Sequence, residues 1–519
     1  MKNTKEQLFA NIWKIADELR GKVDGWDFKN YVLGFLFYRY ISENITSIIN
    51  DDVRNAINHP DPNFEYEDID DSKVNQWIID KYIYKKGFFI KPSELFNNLY
   101  KQVMKNNYDD LNVRISEIFK NIEASASGKP SESNIKGLFS EIDLSKNTLG
   151  DNVINRNKNL ANLIKRIKEF DFFNTENDVD IFGDAYEYLM GMYASNAGKS
   201  GGEYYTPQEV SKLLAKLAIN QRTKIYNVYD PACGSGSLLL QPHKILKNDD
   251  IHFYGQDSNP TTYNLCRINM FLHNINFAKF HITCGDTLIE PNIEDNTFFD
   301  VIVSNPPYSI KWEGKSNPTL INDERYKNAG ILAPESKADF AFVLNSLYYL
   351  KENGIGAIVC FPGIFYRGGA EQKIRQYLID NNYISAIIDL PKDLFFGTSI
   401  ATTILVLSKS SIDKKVLFID AIEQVTKETA RSYLSDENIE SILEVYYNRS
   451  DKEYFSKLVD IKTIQDNDYN LSVSKYVPKP IVQDIVDIKA LNEEIDKLSN
   501  RNNELRNQIK NIIKEIDNE

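Results

Sequence analysis

The chain has 519 residues, of which 42% are hydrophobic and 26% charged, and a net charge of −13. That length sets a prior of more than one domain, and the composition is that of a globular protein, so disorder over most of the chain is excluded. No apolar run approaches the roughly 18 residues of a membrane span, and the first residues lead into an amphipathic pattern rather than a signal peptide.

The four cysteines, Cys233, Cys266, Cys284 and Cys360, have no CxxC or Cys/His spacing. The expectation is a reduced, cytoplasmic protein without metal or membrane. A protein that grips DNA unaided carries a basic surplus, because phosphate neutralisation supplies most of the affinity. With an acidic balance, either nucleic acid is not the substrate or a partner supplies much of the grip.

Residues 1–170 read as an α-helical domain. Leu8, Ile12, Ile15, Ala16 and Leu19 recur at helical spacing, and Phe28–Ile41 is apolar enough for a buried helix. An acidic, turn-rich stretch from Asp51 to Asp71 follows, then helical patterns over Leu95–Tyr100, Val113–Ile122 and Asn159–Phe170. Ser125–Ser133 is small and polar and reads as a loop. Lys158, Lys165, Arg166 and Lys168 form a candidate basic patch, with a solvated helix face as the alternative.

From about residue 180 the pattern becomes α/β. The predicted strands are Ile225–Tyr229, His252–Gln256, Lys279–Thr283, Asp300–Ser304, Gly356–Cys360, Ile384–Asp389 and Ala401–Leu407. Continuous Val/Ile-rich runs alternating with helices predict an open, largely parallel sheet with ligands at the carboxyl ends of its strands. This second domain spans 171–477. The remainder, 478–519, carries heptads: Ile481, Ile488, Ile495, Asn502, Ile509 and Ile516 at one position, and Leu491, Leu498, Leu505 and Ile512 three residues after members of that series. A narrow apolar seam on a charged helix predicts a coiled coil with a partner helix, and packing on its own domain is the alternative.

Asp230-Pro-Ala-Cys-Gly234-Ser235-Gly236-Ser237 directly follows the first strand. Its glycines permit a tight turn and close ligand approach, but it matches neither a P-loop nor a dinucleotide fingerprint. The opening carboxylate suits a cationic ligand such as an ammonium. Asp257 ends the second strand, where an acid can accept from ribose hydroxyls. Asp286 follows the third and either faces a ligand or caps a helix.

Asn305-Pro306-Pro307-Tyr308 after the fourth strand is the sharpest signal. Two prolines fix the backbone and leave carbonyls free to accept. The Asn305 amide oxygen and the Pro306 carbonyl can hold both hydrogens of an NH2 group, and Tyr308 offers a ring for stacking. Acceptors that pull on the N–H bonds of a conjugated amine favour its pyramidal transition state. An exocyclic base amine and a side-chain amide both fit. Ahead of the first strand lies Gly201-Gly202-Glu203-Tyr204-Tyr205-Thr206-Pro207-Gln208, with Pro207 where a helix begins.

Together these residues resemble the amino-methyltransferases that use S-adenosylmethionine, and more closely the modification subunits of type I restriction–modification systems. The resemblance spans almost the whole chain: helical N-terminal domain, Rossmann-like methyltransferase domain and C-terminal coiled-coil helix. It implies cofactor contacts at Glu203, Tyr204, Tyr205, Thr206, Pro207, Gln208, Asp230, Gly234, Ser235, Gly236, Ser237, Asp257 and Asp286. It implies catalysis by Asn305, Pro306, Pro307 and Tyr308. The family often has Glu where this chain has Asp257. Phe396 lies near the family's late motif as a candidate for stacking on the target base, with a core phenylalanine as the alternative.

The implied reaction is direct methyl transfer to adenine N6 of a flipped DNA base. Cytosine N4 fits the same geometry. Protein glutamine methylation, a non-catalytic scaffold and a self-sufficient DNA enzyme are the other readings. The implied partners are DNA, a specificity subunit bound through the C-terminal helix, a second modification subunit and a restriction subunit.

Overall fold

The apolar runs that read as strands do pair into one sheet. The computed structural model describes residues 9, 12–13, 28–56, 60–170, 181–196, 205–395, 400–410, 413–427, 432–479 and 488–516. It divides into two units, Met1–Val477 and Pro478–Glu519.

In the first unit the amino-terminal helices are α1 (Phe28–Arg54), α2 (Gln76–Lys86), α3 (Phe96–Met104), α4 (Leu111–Ser125), α5 (Val153–Glu169) and α6 (Ile181–Asn196). Helix α1 runs past the predicted Phe28–Ile41 into the acidic stretch, because Ile45 and Ile49 continue its buried face. Arg39 is buried in the middle of α1. Its guanidinium donates to the carbonyls of Ile167 and Phe170 at 2.7 and 2.8 Å, satisfying the open end of α5. Of the candidate basic patch, Arg166 pairs with Glu169 and Lys168 with Glu43, so half of it is neutralised within the chain.

The strands of this sheet are β1 (Asn227–Asp230), β2 (His252–Asp257), β3 (Phe280–Cys284), β4 (Phe299–Ser304), β5 (Leu350–Cys360), β6 (Ile384–Asp389), β7 (Thr403–Ser408), β8 (Lys415–Asp420) and β9 (Ser456–Asp460). Their order across the sheet is β3-β2-β1-β4-β5-β7-β6-β8-β9. The first five are parallel to one another, whereas β7 runs antiparallel between β5 and β6. The chain reverses its lateral direction between β1 and β4, which makes their carboxyl ends the topological switch point where such sheets bind ligands.

All six residues of β4 are buried, as a strand covered on both faces requires. Val301 and Val303 enter one apolar core and Ile302 the other, with Ala357 and Val359 against Ile358 on β5 repeating the alternation. The first core continues without a break into α1, α3 and α4.

The covering helices are α7 (Gln208–Ile219), α8 (Ser237–Leu246), α9 (Pro260–Leu272), α10 (Asp339–Tyr349), α11 (Ala370–Asp380) and α12 (Asp436–Asn448). Arg267 on α9 is almost wholly buried and donates to the carbonyls of Ser133 and Lys136 at 3.0 and 2.9 Å. Asn134 donates in return to the Phe280 carbonyl at the edge strand. Polar bonds therefore lock the helical region to the β2–β3 side of the sheet.

In the second unit, Ile488–Ile516 is one continuous helix, α13. Its seam residues remain open: Ile495 is 53% exposed, Leu498 65% and Ile509 55%. Among the described residues no helix is long and apolar enough to cross a membrane.

Candidate active site

The loop after β1 folds into the start of α8 through two left-handed glycines, Gly234 (φ 53°) and Gly236 (φ 78°). At Gly236 any side chain is also excluded by space, since a Cβ would sit 2.7 Å from the Cys266 sulfur. Asp230 opens the loop from a buried position, accepting from the Ala232 N–H at 3.0 Å and the Ser304 hydroxyl at 2.7 Å. Burial, reinforced by the charge of Asp257, pushes its carboxyl up to about 7 despite those two donors. Ser235 and Ser237 are buried with their hydroxyls 3.3 Å apart. Cys233 hydrogen-bonds Cys266 and is buried, which raises its thiol well above the usual range and suits packing rather than nucleophilic chemistry.

Asp257, at the end of β2, clamps this loop. It accepts from the Gly234 N–H at 2.9 Å, the Asn259 N–H at 2.9 Å and the Thr262 hydroxyl at 2.7 Å. A carboxylate offers about four lone-pair sites, so acceptor capacity remains towards the cavity that it lines. Asp286 follows β3, holds the Leu288 N–H at 2.9 Å and lines the same cavity.

That cavity has a volume of about 560 Å3, within the range of small-molecule sites. It brings together Asp257, Asp286, Asn305, Pro306, Pro307 and Tyr308 from the ends of three strands. Its apolar wall includes Trp312, Phe342, Phe395 and Ile400. Of these, Trp312 and Phe342 had no sequence motif to mark them. Glu203, Tyr204 and Phe396 lie outside the described residues. Asp230, Gly234, Ser235, Gly236 and Ser237 build the adjoining loop rather than the cavity wall.

The Asn305 amide is held from both sides. Its Nδ2 donates to Thr206 Oγ1 at 3.1 Å, and its Oδ1 accepts from the Tyr308 hydroxyl at 2.6 Å. Burial raises the Tyr308 hydroxyl well above its usual range, so it stays a donor. After Tyr308 the backbone turns through a left-handed Ser309, whose N–H is shared by both carboxylate oxygens of Asp339 at 3.2 and 3.1 Å. Asp339 is a site-building residue that sequence reasoning missed. An acid opening α10 reads equally well as an ordinary helix start.

Pro207 immediately precedes α7, as expected. The Gln208 amide is committed within the protein. Its Nε2 donates to Glu187 and Tyr205, both at 2.9 Å, and its Oε1 accepts from Gln241 at 2.6 Å.

An N-6 DNA methylase family model matches residues 177–484, and an HsdM N-terminal domain model matches residues 8–167. A type I restriction enzyme MpnII methylase subunit from Mycoplasma pneumoniae is 48% identical over 524 residues, covering 97% of this chain and 95% of the relative. The chain belongs to the N-6 DNA methylases of type I restriction enzymes.

A second methylase subunit, MjaVIII from Methanocaldococcus jannaschii, is 32% identical over 99% of this chain and 85% of its own length. The crystal structure of a type I restriction–modification methyltransferase subunit from Streptococcus thermophilus superposes with a TM-score of 0.82 at 33% identity, covering 92% of this chain and all of that one. The α/β sheet of this methylase subunit, with its helical amino-terminal region, is thus the fold of its family.

Proposed function

We propose that this methylase subunit binds S-adenosylmethionine beside the loop after β1 and methylates the exocyclic N6 of an adenine flipped out of DNA. One observation carries the reading. The Asn305–Tyr308 loop and the acids ending β2 and β3 line a single cavity. The residues suit the cofactor: Asp257 and Asp286 line the cavity as acceptors for hydroxyl and amine donors. When bound, S-adenosylmethionine supplies an electrophilic methyl group.

The protein's own residues then act on the amine. Asn305 Oδ1 and the Pro306 carbonyl accept its two N–H bonds, which favours the nitrogen lone pair of the transition state over the delocalised ground state. Tyr308 and the apolar wall at Phe395 and Trp312 receive the base. Thr206 holds the Asn305 amide so that its oxygen is the atom presented. Cys233 is buried outside the cavity wall, and the reading is a direct transfer to the amine without a covalent enzyme intermediate.

The reading extends to the assembly. We assign residues 1–170 to a helical domain, 171–477 to the methyltransferase domain and 478–519 to a coiled-coil tail. The open seam of α13 fits a helix of a specificity subunit, which reads the DNA sequence. A second modification subunit closes the grip that a chain of net charge −13 does not supply alone. A restriction subunit joins the full complex, in the cytoplasm.

The test is transfer of labelled methyl from S-adenosylmethionine to unmethylated DNA, with and without the specificity subunit, followed by nucleoside analysis. Label in N6-methyladenine supports the reading. Label in N4-methylcytosine or in protein glutamine overturns it.

A further inference from the structure

Helix α6 lies outside every motif described above, yet it carries a buried carboxylate behind the glycine-rich loop and the segment that precedes α7. Gly183, Glu187 and Gly191 are spaced by four and so share one face of the helix. Both glycines permit close approach. A Cβ at Gly183 would fall 2.5 Å from the His273 ring, and one at Gly191 would fall 3.2 Å from the Tyr205 ring. Between them Glu187, 3% exposed, reaches into the junction of α7, α8 and α9.

Glu187 Oε2 accepts from Gln208 Nε2 at 2.9 Å and from the Lys244 ammonium at 2.5 Å. Its Oε1 accepts from Asn269 Nδ2 at 3.4 Å and lies 3.7 Å from His273 Nε2. Burial opposes ionisation here, but Lys244 and His273 hold the group well below the usual carboxylate range. Lys244 also reaches Asp184 at 3.3 Å, so an ammonium already supplies the positive charge that this cluster needs.

Two arms leave this carboxylate for the reacting groups. Gln208 is two residues from Thr206, which holds the Asn305 amide. Asn269 also donates to the Ser235 carbonyl, at 3.1 Å, inside the glycine-rich loop. Both amides divide their donors between Glu187 and a second acceptor, Tyr205 for Gln208 and the Ser235 carbonyl for Asn269, so loss of the carboxylate would leave a buried N–H of each without one of its acceptors.

We propose that Glu187 is a positioning residue for methyl transfer, setting the Asn305 amide through Gln208 and the cofactor loop through Asn269. This rests on the proposed methyltransferase function. Because the two arms end on different groups, they separate in kinetics, which a purely structural role does not require.

The experiment uses the full chain with its specificity subunit. It measures S-adenosylmethionine affinity by calorimetry, single-turnover transfer at saturating cofactor, and Tm. Asn269→Ala is expected to weaken cofactor affinity about tenfold with the saturated rate nearly kept. Gln208→Met is expected to lower the saturated rate about tenfold with affinity nearly kept, each figure being the net scale of about one hydrogen bond among those the side chain makes. Glu187→Gln is expected to show both losses.

If the two arm variants lower affinity and rate in proportion to their loss of Tm, or change neither, the proposal is overturned. If Glu187→Gln does not fold, the arm variants still decide. Wild-type protein that neither binds S-adenosylmethionine nor methylates DNA would refute the underlying function instead.

Discussion

The hydroxyl of Tyr308 donates to Oδ1 of Asn305 across 2.6 Å, so the residue assigned to stack on the target base also occupies the oxygen assigned to hold its amine. A carbonyl oxygen has two lone pairs, and Tyr308 takes one of them. Tyr308→Phe keeps the ring and frees that lone pair, and its transfer rate is expected within about fivefold of wild type, since a typical single hydrogen bond contributes about 1 kcal/mol net. Tyr308→Ala removes the stacking face and is expected to lose at least about tenfold in kcat/KM for DNA, the scale of one base–aromatic stack. Steady-state methylation of a one-site duplex checks both.

Asp230 gives a pH signature. Its folded carboxyl titrates at about 7, above the ordinary value of about 4 for an unfolded chain, so the folded state holds this proton more tightly. Its contribution to stability is complete below about pH 4 and is lost as the pH rises through 7. Asp230→Asn escapes that loss. Its Tm relative to wild type is expected to rise by a few degrees between pH 5 and pH 8, while cofactor affinity falls. Thermal melts across pH 5–8 check the sign, and a gap independent of pH contradicts the assignment.

Much of this site is legible from residue order alone, because its motifs sit at strand ends and strands of continuous Val and Ile announce themselves. Seven strands are readable in this way. Lys415–Asp420 and Ser456–Asp460 are harder. The first is a short apolar run that periodicity cannot separate from a buried helix segment, and the second is a five-residue strand at the sheet edge. What sequence does not reveal is which polar group holds which. Gln208 reads as a cofactor contact but spends its amide on Glu187, Tyr205 and Gln241. The Gly183–Glu187–Gly191 spacing was available as a signal for α6, yet only the packing against His273 and Tyr205 gives it meaning.

Arg267 tests how the helical region is fastened to the sheet. It is 1% exposed, and its guanidinium serves the carbonyls of Ser133 and Lys136. Arg267→Met fills the space but leaves both carbonyls without that donor, and a loss of about 2–4 kcal/mol is expected. Denaturant unfolding of the full chain measures it.

The tail can be tested without disturbing the fold. Ile495 and Leu498 are 53% and 65% exposed, so Ile495→Glu/Leu498→Glu is expected to change the stability of the chain alone by no more than about 0.5 kcal/mol. Placed in a heptad seam, the two charges are expected to abolish co-elution with the specificity subunit. Unchanged co-elution would move the contact elsewhere.

The central claim is that Asn305 presents the acceptor that activates the target amine. Its most direct test is single-turnover methyl transfer by wild type and Asn305→Ala, each assembled with the specificity subunit and saturated with S-adenosylmethionine, beside calorimetric cofactor affinity. The account predicts a loss of at least about 100-fold in transfer, the scale of one transition-state acceptor, with affinity unchanged. An Asn305→Ala variant that transfers at the wild-type rate would contradict it.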